Sequence, residues 1–221
     1  MDALEAIRQR FSARAYLSRP VGRELVESVL DTARWAPSAV NIQPWKVIAL
    51  TGETKQKLSH ALLAAKRSGV KEEPDFQYYP SKWEEPYATR RKESGLALYK
   101  ALGIGKDDHE KRMEAWLRNY SFFGAPVGLL FFIDKGLERG SWLDFGMFMQ
   151  NVMISAKAHG LDTCPQASFA EFPSTIRKTL DIPETLSLAC GMSLGYADMT
   201  AAVNNYRTKR EPVESFMTWM E

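Results

Sequence analysis

Residues 141–160 read SWLDFGMFMQNVMISAKAHG, and this stretch constrains the fold more than any other. Its spacing predicts a helix with Trp142, Phe145, Met149, Val152, Met153 and Ala156 on one side. Met147, Phe148 and Ile154 fall on other sides, so no polar face remains. Such a helix must be covered all round. The rest of one chain could do this, and a subunit interface is an equally simple cover. Gly160 closes the helix as a C-cap.

The other elements are arranged around this helix. Helical spacing is expected over 3–10, over GRELVESVLDTARWAP (residues 22–37, stopped by Pro37) and over 53–67. WKVIAL (45–50), the apolar run VGLLFFI (127–133) and residues 186–194 read as strands. Two short helices are expected around 94–102 and 107–119. Residues 70–93 are rich in charge, proline and aromatics without a period, and predict a long excursion of the lid type. Residues 199–221 have no pattern of their own and read as an arm ordered by what it lies against. Few strands spaced by helices indicate α+β or α/β, in one domain over 1–221.

Composition excludes more than it assigns. The 221 residues carry a formal charge of only +2, which calls for neither nucleic acid nor a membrane surface. Two cysteines, Cys164 and Cys190, make no disulfide framework and suit a reducing cytoplasm. No apolar run reaches membrane-span length. The N-terminus does not read as a signal peptide. The three histidines lack metal-ligand spacing, so no metal is expected. No Rossmann fingerprint, P-loop or G-x-S-x-G elbow is present.

Against that near-neutral balance, cations gather near both ends. IRQRFSARAYLSRP (7–20) contains Arg10, Ser12 and Arg14, and NNYRTKREPV (204–213) contains Arg207 and Arg210. Guanidinia and a hydroxyl on a short turn suit a phosphate or planar anion; a solvated surface run is the plain alternative. APSAVNIQPW (36–45) offers Ser38, Asn41 and Gln43, whose polar groups suit a heterocycle edge or simply cap a turn. CPQASF (164–169) reads as a loop of small residues, anchored by proline, that lets backbone N–H groups approach a flat ligand.

In this order, the motifs resemble the FMN-dependent nitroreductase family, in the branch that includes nitrobenzoate reductases. The resemblance rests on Arg10-Phe11-Ser12-Ala13-Arg14, the unbroken Ala36–Trp45 motif, GSWLDFGMFMQNVMISAKAHGLDTCPQASF, CGMSLGYAD and the basic tail Arg207–Pro212. It implies an α+β sandwich with a mainly antiparallel sheet flanked by helices. It also implies a homodimer that exchanges its C-terminal arms and holds two FMN sites. Arg10, Ser12, Arg207 and Arg210 would hold the phosphate and ribityl chain, and Arg14 would lie near the pyrimidine edge. Ser38 and Asn41 would belong to the rim, and Pro165, Gln166, Ala167 and Ser168 would offer backbone contacts to the ring.

The implied reaction is ping-pong hydride transfer from NADH or NADPH, through the flavin, to a nitroaromatic, quinone or similar flat acceptor. No catalytic side chain is required for it. Phe122, Phe123, Trp83 and the neighbouring Phe76, Tyr78 and Tyr79 are candidates for the slot walls, with core packing as the alternative. The same fold also hosts reductive dehalogenation and enone reduction, and a non-enzymatic FMN sensor or store is a further reading.

Overall fold

The computed structural model describes residues 1–221. Four antiparallel strands form one sheet: β1 (Lys46–Leu50), β2 (Val127–Asp134), β3 (Asp162–Gln166) and β4 (Leu186–Gly195), in the order β1-β2-β4-β3. Seven α-helices surround it: α1 (Ala3–Gln9), α2 (Arg23–Ala33), α3 (Gly52–Arg67), α4 (Tyr87–Ala101), α5 (His109–Leu117), α6 (Arg139–Ala158) and α7 (Pro173–Leu180). The architecture is the expected α+β sandwich. No helix is long and apolar enough to cross a membrane.

The unbroken apolar run of β2 follows from its place at the centre. Val127, Leu129, Phe131 and Ile133 face one core, with Val29 of α2 and Phe145, Phe148 and Val152 of α6. Leu130 and Phe132 face the other, with Leu58 and Leu62 of α3 and Ile176 of α7. A strand covered on both faces has no need of a polar alternate. Two glycines thin the second face. A Cβ on Gly128 would stand 2.5 Å from the Phe122 ring, and one on Gly191 would stand 2.4 Å from Phe169. Glycine there lets both rings lie directly on the sheet.

Helix α6 is covered on only part of its circumference. Phe145, Phe148, Val152 and Ala156 are buried, and Trp142, Met149 and Met153 pack beside them. Phe148 belongs to this inner face rather than to another side, because it follows Phe145 by one turn and stacks on Trp45 with centroids 4.6 Å apart. Leu143 and Met147 remain exposed.

Two expectations are corrected. Helix α4 begins at Tyr87, inside the segment read as irregular; it buries no residue, so no apolar period marks it. Residues 162–166 form strand β3 rather than a loop up to Gln166, and a 3₁₀ turn follows over Ala167–Glu171. Proline disguised this strand, yet an edge strand tolerates Pro165 because no further ladder needs its N–H. The excursion is tied down at its start. Glu72 accepts from the Ser174 and Thr175 backbone N–H groups at the head of α7. Asp75 pairs with the buried Arg177 and accepts from the Leu188 N–H at 2.9 Å.

Candidate functional site

Edge strand β3 carries the N-terminal cation segment. Ser12 bridges Thr163 in parallel, and Ala13 N–H donates to the Thr163 carbonyl at 3.0 Å. Beyond it, Tyr16 bridges Ala197, Leu17 N–H reaches the Tyr196 carbonyl, and Asp198 N–H reaches the Ala15 carbonyl. The chain after β4 therefore runs beside residues 12–17, which brings the two cation clusters together.

The result is a cleft of about 710 Å³ lined by Arg8, Arg10, Ser12, Arg14, Arg207 and Arg210. No carboxylate lines it. Arg207 lies over the Phe11 ring at 3.9 Å and donates to the Asn204 carbonyl at 2.8 Å. Arg14 donates to the Ser12 carbonyl at 3.2 Å and to the Tyr206 hydroxyl at 3.3 Å. Arg210 is held by Thr208 Oγ1 at 2.7 Å. Burial lowers the Arg10 pKa, and the charge of Arg210 lowers it further. Cations gathered this closely without an anion repel one another, and a bound dianion relieves that repulsion. The volume lies within the roughly 300–1,000 Å³ of small-molecule sites. Size, donor chemistry and charge all fit FMN.

A second cavity, about 360 Å³, lies between the excursion and the turn after β3. Phe76, Tyr78, Tyr79 and Trp116 line it, together with Ala167 and Ser168. Its carboxylates are engaged: Glu171 pairs with Lys66 at 2.7 Å, and Glu72 caps α7. Lys71, which also lines it, has no carboxylate partner.

Other candidate residues lie elsewhere. Phe122 is fully buried against Gly128 and Phe169, which corrects its reading as a slot wall. Phe123 is also buried, with the Arg14 guanidinium 6.0 Å from its ring centroid. Trp83 does not line the cavity, and its ring centroid lies 5.7 Å from that of Tyr79, which does. The Gln166 side chain turns inward and donates to the Asn119 carbonyl at 2.8 Å. Pro165 is half-buried in β3.

Ser38 and Asn41 do not reach the cleft of their own chain. Their loop is pinned to α6 by Asp144, which accepts from Ala39 N–H at 3.0 Å. Val40, Asn41 and Gln43 all adopt positive φ, and Val40 is 94% exposed. A β-branched residue in that region is a costly conformation, of the kind that clusters at functional sites.

Three cleft residues escaped the sequence reading: Ser94 of α4, Gln150 of α6 and Tyr206. Gln150 had a signal, as a polar break in an otherwise apolar helix. Tyr206 stood beside Arg207 in the basic tail. Ser94 had none, because α4 lacks a legible face.

The chain is similar to known proteins along nearly its whole length. The family model described as "Nitroreductase family" matches residues 7–196. The chain is 42% identical to a 4-nitrobenzoate reductase of Pseudomonas putida, over 99% of this chain and 95% of that protein. It is 38% identical to a chloronitrobenzene nitroreductase of Comamonas testosteroni, over 98% and 96%. The FMN- and NADPH-dependent nitroreductase NfnB of Sphigopyxis sp. strain HMH superposes with a TM-score of 0.97 at 35% identity, covering all of both chains. NfnB of Mycobacterium smegmatis, solved with NADPH, gives 0.94 at 32% identity over 99% and 98%. The chain belongs to the nitroreductase family.

Proposed function

We propose that this chain is an FMN-dependent NAD(P)H oxidoreductase that reduces nitroaromatics, quinones or similar flat acceptors. The observation that carries the reading is the convergence of arginines from both chain ends on one cleft without a carboxylate. Arg10, Ser12, Arg207 and Arg210 hold the phosphate and ribityl chain. Bound FMN supplies the two-electron relay between the nicotinamide and the acceptor.

The protein's part is placement and electrostatics. Arg14, fixed by Tyr206 and its own chain, faces the pyrimidine edge and favours negative charge there. Pro165, Ala167 and Ser168 present backbone along the ring. The cavity walled by Phe76, Tyr78, Tyr79 and Trp116 takes the flat acceptor, and Lys71 attracts acceptors that carry an acid group. The relatives' names, a nitrobenzoate reductase and a chloronitrobenzene nitroreductase, support this acceptor class. The NADPH-bound NfnB structure supports the donor.

Two chains pair in this reading, with each site built from both. Exposed Leu143 and Met147 on α6, and Phe216, Trp219 and Met220 on the arm, supply the apolar surface for pairing. The arm has no strand within one chain, and exchange with the partner sheet gives it one. The loop carrying Ser38 and Asn41, remote from its own cleft, serves the partner's rim.

The test is an acceptor panel. Purified protein should be yellow, release FMN on heating, bleach with NADH or NADPH and recover its colour with a nitroaromatic. Bleaching that no acceptor reverses would favour a flavin store. Turnover confined to halogenated aromatics or enones would favour the other flavin chemistries.

A further inference from the structure

Asn204 is fully buried, and every polar group of its side chain is engaged. Its Oδ1 accepts from the Arg14 backbone N–H at 2.8 Å. Its Nδ2 donates to the carbonyls of Ala15 and Asp198, each at 2.8 Å. Its own carbonyl accepts from Arg207 Nη1 at 2.8 Å. One residue thus grips the backbone that carries Arg14 and the guanidinium of Arg207. A buried amide with all its bonds made is rigid. Removing it orphans the Arg14 N–H and takes one of two donors from each of the Ala15 and Asp198 carbonyls, which keep the Asp198 and Ala201 N–H groups. The backbone pairings of residues 15–17 with 196–198 bring the two segments side by side, and beyond them Arg14 donates to the Tyr206 hydroxyl at 3.3 Å and Arg207 lies over Phe11.

We propose that Asn204 is the positioning residue that sets Arg14, at the flavin ring, and Arg207, at the phosphate, in one preformed register. It touches no ligand. It acts by holding the Arg14 backbone and the Arg207 guanidinium in place before the cofactor arrives, so that little ordering is left to binding. The inference rests on the FMN reading of the cleft.

The experiment measures FMN and riboflavin binding to apoprotein by fluorescence quenching, in wild type, Asn204→Ala, Asn204→Asp and Leu58→Ala. Leu58 is buried in the core on the far side of the sheet and serves as a control for general loosening. Aspartate can still accept from Arg14 N–H but cannot donate to the two carbonyls. FMN affinity should fall at least tenfold in both Asn204 variants and riboflavin affinity less than threefold, because only FMN carries the phosphate that Arg207 meets, so the preference for the phosphorylated flavin falls at least threefold. Leu58→Ala should lower thermal stability and leave that preference intact. An unchanged preference in the Asn204 variants overturns the inference. Wild type that binds neither flavin overturns the FMN reading itself. Should neither Asn204 variant fold, hydrogen exchange in wild type decides. FMN should slow exchange at the Arg14 amide and across residues 205–210 together, and slowing at only one of them overturns the inference.

Discussion

The guanidinium of Arg207 lies over the ring of Phe11, 3.9 Å from its centroid. A residue of the C-terminal tail thereby rests on one from the N-terminal cation segment. The contact turns two modest charge clusters into one wall of a cleft.

Replacing Phe11 with leucine keeps the apolar bulk and removes the aromatic face. A cation–π contact of this kind contributes about 0.5–1 kcal/mol. FMN affinity should therefore weaken by roughly two- to fivefold, with the fold unchanged by circular dichroism. Fluorescence titration reads the difference, and an affinity equal to wild type would show that the stacking does not orient Arg207.

The excursion is anchored by a buried ion pair. Asp75 meets Arg177, with both side chains almost wholly buried. Burial alone would raise the Asp75 pKa, but the Arg177 guanidinium, the Leu188 N–H and Lys135 together bring it below the usual carboxylate value. A depressed folded pKa means stabilisation that is full above the unfolded value, near pH 4, and lost as pH falls through the folded one. Asp75→Asn should cost about 3–5 kcal/mol at neutral pH, because the buried Arg177 is left with only the exposed Glu184 carboxylate, 3.5 Å away. The variant should also lose part of the acid sensitivity of wild type. Urea unfolding at pH 7 and pH 3 measures both, and equal losses at the two pH values would contradict the assignment.

Acceptor choice tests the second cavity. Lys71 is exposed, so its attraction to an acid group is screened and modest, about 0.2–1 kcal/mol. Lys71→Glu reverses that sign. KM for 4-nitrobenzoate should rise severalfold while KM for nitrobenzene stays within a factor of two. Parallel shifts for both acceptors would place the acid group elsewhere.

The two sheet glycines give a stability test independent of function. Gly128→Ala would set a methyl group against the Phe122 ring. Overpacking of this kind typically costs 1–3 kcal/mol. Thermal unfolding should show a clear fall in midpoint, and an unchanged midpoint would mean that Phe122 moves aside freely.

Much of this was legible in the chain because periodicity reports burial. β2 and α6 bury long apolar runs, and both stood out. Helix α4 buries nothing and gave no signal, so its start at Tyr87 was read as irregular. β3 was hidden by Pro165, whose missing N–H matters only if the strand is internal. The cation clusters were visible as residue types, but their convergence depends on pairings between distant segments, Ser12 with Thr163 and Tyr16 with Ala197. Phe122 shows the reverse failure. Aromatic rings near a ligand-binding motif suggest a wall, and only packing reveals that Phe122 fills the space above Gly128.

The central claim is that arginines from both chain ends bind one FMN phosphate. Titrating apoprotein with FMN, in wild type and in Arg10→Ala/Arg210→Ala, tests it most directly. The account predicts tight binding by wild type and at least a hundredfold loss in the double variant, with the apoprotein still folded. Equal FMN affinity in the two proteins would contradict it.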